Sequence, residues 1–481
     1  MLLNYRTVWQ ILGRVLCTEA AFMLLPALVC VIYGESPFHF LAVILLLAAV
    51  GGGLLLLKPV NTRIFAKEGF LSVALSWIAM SLFGALPFVF SGEIPRFVDA
   101  VFETVSGFTT TGASILTDIE GMSKGCLFWR SLTHWIGGMG VLVFVMAVLP
   151  MANSRGMHIL RAEMPGPSVG KLVPSIRKTA LILYVIYIAL TVLETIFLRF
   201  GGMPLYDSLI HSMSTAGTGG FSMRSLSVGF YDSAYIDVVI TVFMVLFGVN
   251  FNLFFLVVTG KLAIALKSEE LRCYLCMIVL SGMIIALNIM HMYGGLLRAM
   301  RYSFFQVASI VSTTGFATAD FDKWPELSKA LLVTLMFVGG CAGSTGGSVK
   351  VSRVMILFKA VKREIIHLLR PHAVSVVKLE GKTVDEPTVA SSFLFFFVYI
   401  VVVLTGTVVV ALGGSDFTTS FTASLSCVAN VGPGLGAVGP MGGFASFSAF
   451  AKLVLSLSML MGRLEIFPMV ILFSPQLWRK K

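Results

Sequence analysis

Four stretches decide how this chain folds: DAVFETVSGFTTTG (99–112), DSLIHSMSTAGTGG (207–220), YSFFQVASIVSTTG (302–315) and TSFTASLSCVANVG (419–432). Each is largely apolar yet shorter than the roughly 20 residues that a membrane-spanning helix needs. Aligned on the final glycine, they match without gaps. Ser106, Ser214, Ser309 and Ser426 stand six residues before it, and Thr110, Thr218, Thr313 and Asn430 two before. Val101, Leu209, Phe304 and Phe421 stand eleven before. The copies lie 108, 95 and 117 residues apart, and self-similarity at so long a period marks a repeated structural unit.

Around these copies the chain is built for lipid. Of 481 residues, 57% are hydrophobic and 12% charged, against about 25% charged in soluble domains. That balance excludes a soluble protein, a disordered chain and a nucleic-acid binder, despite a net charge of +11. Ten segments are long and apolar enough to span, at 9–33, 38–58, 70–91, 129–151, 179–200, 234–260, 274–295, 328–358, 390–413 and 448–473. With the N-terminus inside, the cytoplasmic segments hold 24 Lys and Arg and the outer ones 10, with Arg463 left inside a span. The positive-inside rule therefore puts both termini in the cytoplasm. The outer segments carry 13 acids, a surplus expected to concentrate cations near any mouth there. The start, MLLNYRTVWQILGR, lacks an uninterrupted apolar core and a cleavage site, so the first apolar segment is expected to stay as a helix. Seven cysteines are scattered, and Cys273 and Cys276 lack the second pair that a zinc site needs.

Each short copy sits on the outer side between two spans, so the unit reads span, short helix, Gly-ended strand, span. The expectation is an all-α polytopic membrane protein: an N-terminal helix pair (1–66) and four pseudo-symmetric helix–pore-loop–helix quarters (67–165, 166–268, 269–375 and 376–481) around one central pore. Irregular backbone survives at membrane depth only when buried or lining a water-filled cavity. A short helix reaching halfway across aims its partly negative C-terminal end at the bilayer centre. The Thr-x-Gly segment that follows offers carbonyls, and four such segments around one axis would form a ring able to replace a cation's hydration shell. Taken singly, each copy also reads as an ordinary outer loop with Thr and Gly for turns.

At these residues the chain resembles the Trk/Ktr potassium transporter family, most closely its TrkH-type members. The matching motifs are SGFTTTGAS, TGGFS, STTGFAT and NVGPGLG in the four copies, with HWIGGMG (134–140) at the following span. The leading pair at 9–58 is similar to the TrkH type rather than to the shorter Ktr subunits. The resemblance implies a K⁺-conducting subunit of a bacterial inner membrane, a homodimer, docked on its cytoplasmic face to a TrkA-type nucleotide-binding ring. K⁺ is the transported ion, with no organic cofactor and no enzyme activity implied. Carried over residue by residue, the selectivity filter is Thr110, Thr111 and Gly112; Thr218, Gly219 and Gly220; Thr313, Thr314 and Gly315; Asn430, Val431 and Gly432. In related plant transporters a serine at the first glycine favours Na⁺, so Gly112 implies K⁺ preference.

Two features lie at greater depth. GGCAGSTGGS (339–348) puts five glycines inside a span, each costing a helix roughly 1 kcal/mol against Ala. A phosphate-binding loop is excluded by the missing G-K-[ST]. Close helix packing on small residues accounts for it, as does an intramembrane loop beneath the filter that blocks or clears the path. The family points to the loop, with Gly339, Gly340, Gly343, Ser344, Thr345, Gly346 and Gly347 as gating residues. Arg463 lies in the last span, where an unpaired charge costs about 2.5–3.5 kcal/mol. It should face an acid or a water-filled cavity, either in a structural ion pair or, as in the family, as a barrier beside the pore. Glu465 is expected to find a different partner. Glu103, His211 and Gln306, nine residues before the glycine, should brace the filter. The eight basic residues of 350–382 and the loop 153–178 are candidates for anionic lipid or a regulatory ring.

Channel-like uptake is favoured over coupled transport with Na⁺ or H⁺, because coupled carriers pair inverted or parallel repeats at the midplane and these four half-helices enter from one side. An intramembrane enzyme would need a cluster of His, acid or Cys that the seven scattered histidines do not supply.

Overall fold

The computed structural model describes residues 4–57, 66–140, 176–372 and 375–475. Apart from one antiparallel hairpin, in which Lys378 pairs with Thr383 and Leu379 with Lys382, regular structure among the described residues is helical. The leading helices Tyr5–Ile32 and Phe38–Leu55 pack where Gly13 and Gly51 meet: a side chain on Gly13 would lie 2.8 Å from the Gly51 carbonyl. Small residues let two backbones approach this closely in lipid, where packing rather than water drives association.

The four quarters follow in register. The short helices are Phe97–Phe108, Leu205–Gly217, Leu296–Val311 and Phe417–Ala429. They are preceded by Ala66–Gly84 (continued by Leu86–Phe90), Ile176–Phe200, Glu269–Ile289 and Glu386–Ala411. They are followed by Lys124–Met139, Ala234–Phe247, Glu326–Val338 and Ala449–Arg463. Every residue from Ala100 to Phe108 is buried. Their hydroxyls turn back on their own helices, Thr104 onto the Ala100 carbonyl and Thr215 onto that of His211, both at 2.8 Å. A helix buried on all sides satisfies its polar groups in this way.

The outer surface inverts the pattern of a water-soluble protein. Leu394, Phe397, Leu404 and Val408 are exposed along Glu386–Ala411, as are Val185, Ile188 and Val192 along Ile176–Phe200, while Glu103, Arg130 and His134 are buried. Such a surface suits hydrocarbon. Six described helices are long and apolar enough to span, and a bent pair makes a seventh.

Three expected spans are not continuous. The segment 234–260 bends by 97° between Ala234–Phe247 and Phe251–Val258, where the Asn250 side chain caps the second piece. The segment 328–358 breaks into Glu326–Val338 and Val351–Leu369 around the glycine-rich loop. The last span stops at Arg463 and resumes as Phe467–Leu472, with Glu465 and Ile466 in left-handed backbone between. The segment 129–151 is helical to Met139 and turns at Gly140 (φ 80°); its remainder, with most of the basic loop 153–178, lies outside the described residues. Thus the second helix of every quarter ends or breaks 23–31 residues past the repeat glycine. At the breaks, glycines meet the ends of the short helices. A side chain on Gly137 would strike the Phe108 carbonyl, and one on Gly462 the Val428 carbonyl, both four residues before a repeat glycine.

Candidate functional site

The short helices end alike. Thr111, Gly219, Thr314 and Val431 donate their backbone N–H to Ser106, Ser214, Ser309 and Ser426, at 2.8–3.0 Å. One residue earlier, Thr110, Thr218, Thr313 and Asn430 donate to the carbonyl three residues back. Together these bonds form a left-handed helix cap, whose turning residue is usually glycine. Here it is Thr110, Thr218, Thr313 or Asn430, at φ 55–62°, followed two residues on by Gly112, Gly220, Gly315 or Gly432 at φ 75–98°. A β-branched residue in this region is strained. Four copies of the same turn at the same repeat position, three of them on a strained threonine, are a built feature.

The four segments close into a ring. A side chain on Gly112 would land on the Gly219 carbonyl, one on Gly220 on that of Thr314, and one on Gly315 on that of Val431. One on Gly432 would lie 2.7 Å from the Thr111 carbonyl, so the fourth quarter meets the first. The ring therefore holds the carbonyls of four equivalent residues, Thr111, Gly219, Thr314 and Val431. All four repeat glycines open into one cavity of about 100 Å³ on the side away from the short-helix ends. Its lining includes Arg130 and Arg224 and, among the described residues, no carboxylate, while Glu120 and Asp322 stand just behind it against Ser225 and Gly439.

The braces stand where the sequence puts them. Glu103 accepts from Ser114 Oγ and Ile115 N, both at 2.9 Å, and pairs with Arg130 at 2.8 Å. His211 shares a hydrogen bond with Ser222 Oγ at 3.1 Å, and Gln306 reaches Thr318 Oγ1 at 3.5 Å. Each ties its short helix to the strand leaving the ring. The fourth quarter has Ala423 in this column, and Thr422 Oγ1 takes over by accepting from Leu435 N at 2.9 Å. His134 explains an irregularity in the repeat. Its ring stacks on Phe221 with centroids 4.1 Å apart and fills the space that a side chain on Gly219 would need. Glycine therefore stands where the other quarters carry Thr111, Thr314 and Val431.

Directly beneath the ring runs the loop 339–350, which brings all the expected gating residues together. Cys341 N donates to Gly248 O at 2.9 Å, and Phe251 N to Gly343 O at 3.0 Å, so the loop is stitched to the bend of the second quarter. Gly347 N donates to Thr313 Oγ1 at 2.7 Å, and Gly347 packs against Ala429 O and Asn430. Arg463 completes the circuit. It donates to Thr345 O at 2.6 Å, Gly137 O at 2.5 Å, Gly138 O at 2.6 Å and Thr110 Oγ1 at 3.3 Å. The loop thus touches the second, third and fourth quarters and reaches the first through Arg463. Among the described residues its partners include carbonyls at helix breaks, acceptors that a planar guanidinium reaches at once. Glu465 finds its partner in Arg353, at 2.5 Å.

Sequence reasoning missed three participants. Lys350 is buried at φ 81° and its Nζ donates to Gly346 O. Ser348 Oγ donates to Met336 O at 2.6 Å. Glu270 Oε1 accepts from Ala342 N at 2.7 Å and Ser352 N at 3.1 Å. Only the basic residue just after the glycine run, set in an apolar span, carried a signal for the first.

Known proteins share this architecture. A family model described as TrkH, cation transport protein, matches residues 36–480. The chain is 36% identical to the Trk system potassium uptake protein TrkH of Salmonella typhimurium, over 99% of this chain and 100% of that one. It is 34% identical to the Trk system potassium uptake protein TrkG of Escherichia coli, over 99% of each chain. The crystal structure of the potassium transporter TrkH from Vibrio parahaemolyticus matches with a TM-score of 0.89 at 32% identity, covering 99% of this chain and 100% of that chain. With a family model spanning nearly its whole length and relatives matched end to end, this chain belongs to the TrkH family of cation transport proteins.

Proposed function

We propose that this chain is the K⁺-conducting subunit of a bacterial potassium uptake system, working as a gated, channel-like pathway driven by the membrane potential. The observation that carries the reading is the closed ring: four equivalent left-handed turns, with each glycine against the next quarter's carbonyl and the fourth against the first. Carbonyls held in such a ring replace a cation's hydration shell, and the names of the full-length relatives make that cation potassium. The filter is then Thr110–Gly112, Thr218–Gly220, Thr313–Gly315 and Asn430–Gly432, one segment from each quarter.

The loop 339–350 is the gate, and Arg463 is the charge that both ties it shut and raises the barrier below the filter. Its support is position: the loop lies under the ring, and Gly339, Gly343, Ser348 and Lys350 hold it in left-handed backbone. At Ser348 and Lys350, which are not glycine, backbone strain of this kind costs about 1–3 kcal/mol per residue and clusters at switches. Moving one charge inward across 100 mV yields about 2.3 kcal/mol, enough for about fiftyfold accumulation without a second ion. The basic face carries the termini and lies in the cytoplasm. There, helix Val351–Leu369 and the hairpin offer a dock for a TrkA-type nucleotide-binding ring, and a second copy of the chain pairs with this one in the membrane.

The test is radioactive rubidium uptake into proteoliposomes holding the purified chain, with an imposed potential and no Na⁺ or proton gradient. Uptake competed by K⁺ far better than by Na⁺ is expected. Uptake that arises only with a Na⁺ or proton gradient would replace the channel with a coupled carrier.

A further inference from the structure

Glu270 is the second residue of helix Glu269–Ile289, buried at 8% exposure where that helix meets the basic face. The first N–H groups of a helix lack partners inside it and attract anions. Here Glu380, from the turn of the hairpin, serves them. Its carboxylate accepts from Glu269 N and Glu270 N, both at 3.1 Å, and from Ser268 Oγ at 2.7 Å. The carboxylate of Glu270 is thereby left to serve a different partner. It accepts from Ala342 N at 2.7 Å and Ser352 N at 3.1 Å.

These two amides bracket the loop. Ala342 lies near its start, and Ser352 lies just past its end, in the first turn of helix Val351–Leu369. The cap position of that helix is Lys350, which makes no side-chain capping bond. Glu270 thus caps the helix from the first helix of the same quarter while holding the opposite end of the loop. Lys350, close by, reaches back to Gly346 O, and Lys359 of the same helix pairs with Glu269 at 2.6 Å. The hairpin, the start of Glu269–Ile289, the loop and Val351–Leu369 therefore form one mechanical chain whose central link is a single carboxylate.

We propose that Glu270 is the latch of the intramembrane loop: it pins both ends of the loop beneath the ring, and displacement of the hairpin through Glu380 releases it. The latch rests on the reading of 339–350 as the gate. Glu270 is a positioning residue, since it touches the loop and not the ion.

The experiment uses a reporter already in the loop. Cys341, next to Ala342, is fully buried. In the full-length chain with the other six cysteines replaced, Glu270→Gln keeps the shape and removes the charge that strengthens both bonds. Labelling of Cys341 by a water-soluble maleimide should rise about tenfold, and rubidium uptake without any regulatory partner about five- to tenfold. Glu380→Gly, outside the membrane and relaxed at its left-handed φ of 52°, should move both readouts in the same direction by less. It also carries the test if Glu270→Gln does not fold. Labelling and uptake unchanged in the folded variants would overturn the latch. Exposure of Cys341 with unchanged uptake would instead leave Glu270 as the loop's anchor and overturn the loop as gate.

Discussion

In the ring, Thr110, Thr218, Thr313 and Asn430 share one backbone conformation and one set of capping bonds. A few ångströms below, the four second helices stop in four different ways. The first turns at Gly140, the second bends at Gly248–Asn250, the third opens into a twelve-residue loop, and the fourth ends on Arg463. The upper layer is made of backbone, and near-identical backbone from four quarters presents four equivalent oxygens to anything on the axis. The lower layer is made of differences. A loop present once and an arginine present once have nothing to be symmetric with, and they bind each other. Covalent linkage of the quarters permits this division, because each second helix diverges without disturbing the ring above it.

The largest effect should come from breaking the ring's equality. Gly220→Ala puts a methyl onto the Thr314 carbonyl at a left-handed φ of 75°. Strain and overpacking of about 1–3 kcal/mol each should cut rubidium uptake about a hundredfold, while Gly260→Ala, in open space at φ 76°, leaves uptake intact. Equal losses in the two variants would mean that left-handed backbone, not the ring, sets the cost.

The lower layer should respond in the opposite direction. Arg463→Ala removes the donors that join Thr345, Gly137, Gly138 and Thr110, and basal uptake should rise about tenfold, equivalent to about 1.4 kcal/mol off the barrier. Arg463→Lys keeps the charge but loses the planar fork, so it separates the electrostatic barrier from the tie: uptake near the parental level assigns the effect to charge, and a rise as large as alanine's assigns it to the tie.

A third substitution probes the support between the layers and the mouth. Glu103→Gln leaves Arg130, which lines the mouth, without its counter-charge. Uptake should fall about fivefold and thermal stability should drop, since breaking a buried pair costs about 3–5 kcal/mol. Smallest of all should be Asn430→Thr, which makes the fourth quarter read like the others. It gives up hydrogen bonds to Thr111 Oγ1 at 2.9 Å and Met459 O at 3.0 Å. A loss of about 1–2 kcal/mol in stability with less than about threefold change in uptake would show that the turn, not the side chain, is what the ring requires.

Much of the upper layer was legible because repetition amplifies it. One Thr-x-Gly proves little, but three with an Asn-x-Gly, all in register with serine six residues before, fix the short helices and their ends, and the column of Glu103, His211 and Gln306 fell where bracing was expected. The lower layer offered no such amplification. Hydropathy reads an apolar stretch as continuous and passes over Gly248 and Asn250, because a two-residue polar interruption barely lowers a 20-residue average. Three partners of Arg463 were invisible for a related reason: they are backbone carbonyls at helix breaks in other quarters, and any residue type can present one.

From the sequence alone come the membrane class, the fourfold repeat, the turning positions and the residues gathered near the axis, because each depends on composition or on spacing along the chain. The closure of the ring from Gly432 onto Thr111, the place of His134 that makes Gly219 a glycine, the pairing of Glu465 with Arg353 and the hold of Glu270 on both ends of the loop were decided only in three dimensions. They are contacts between residues 72 to 321 positions apart, and no local pattern records which distant carbonyl or amide a side chain will meet.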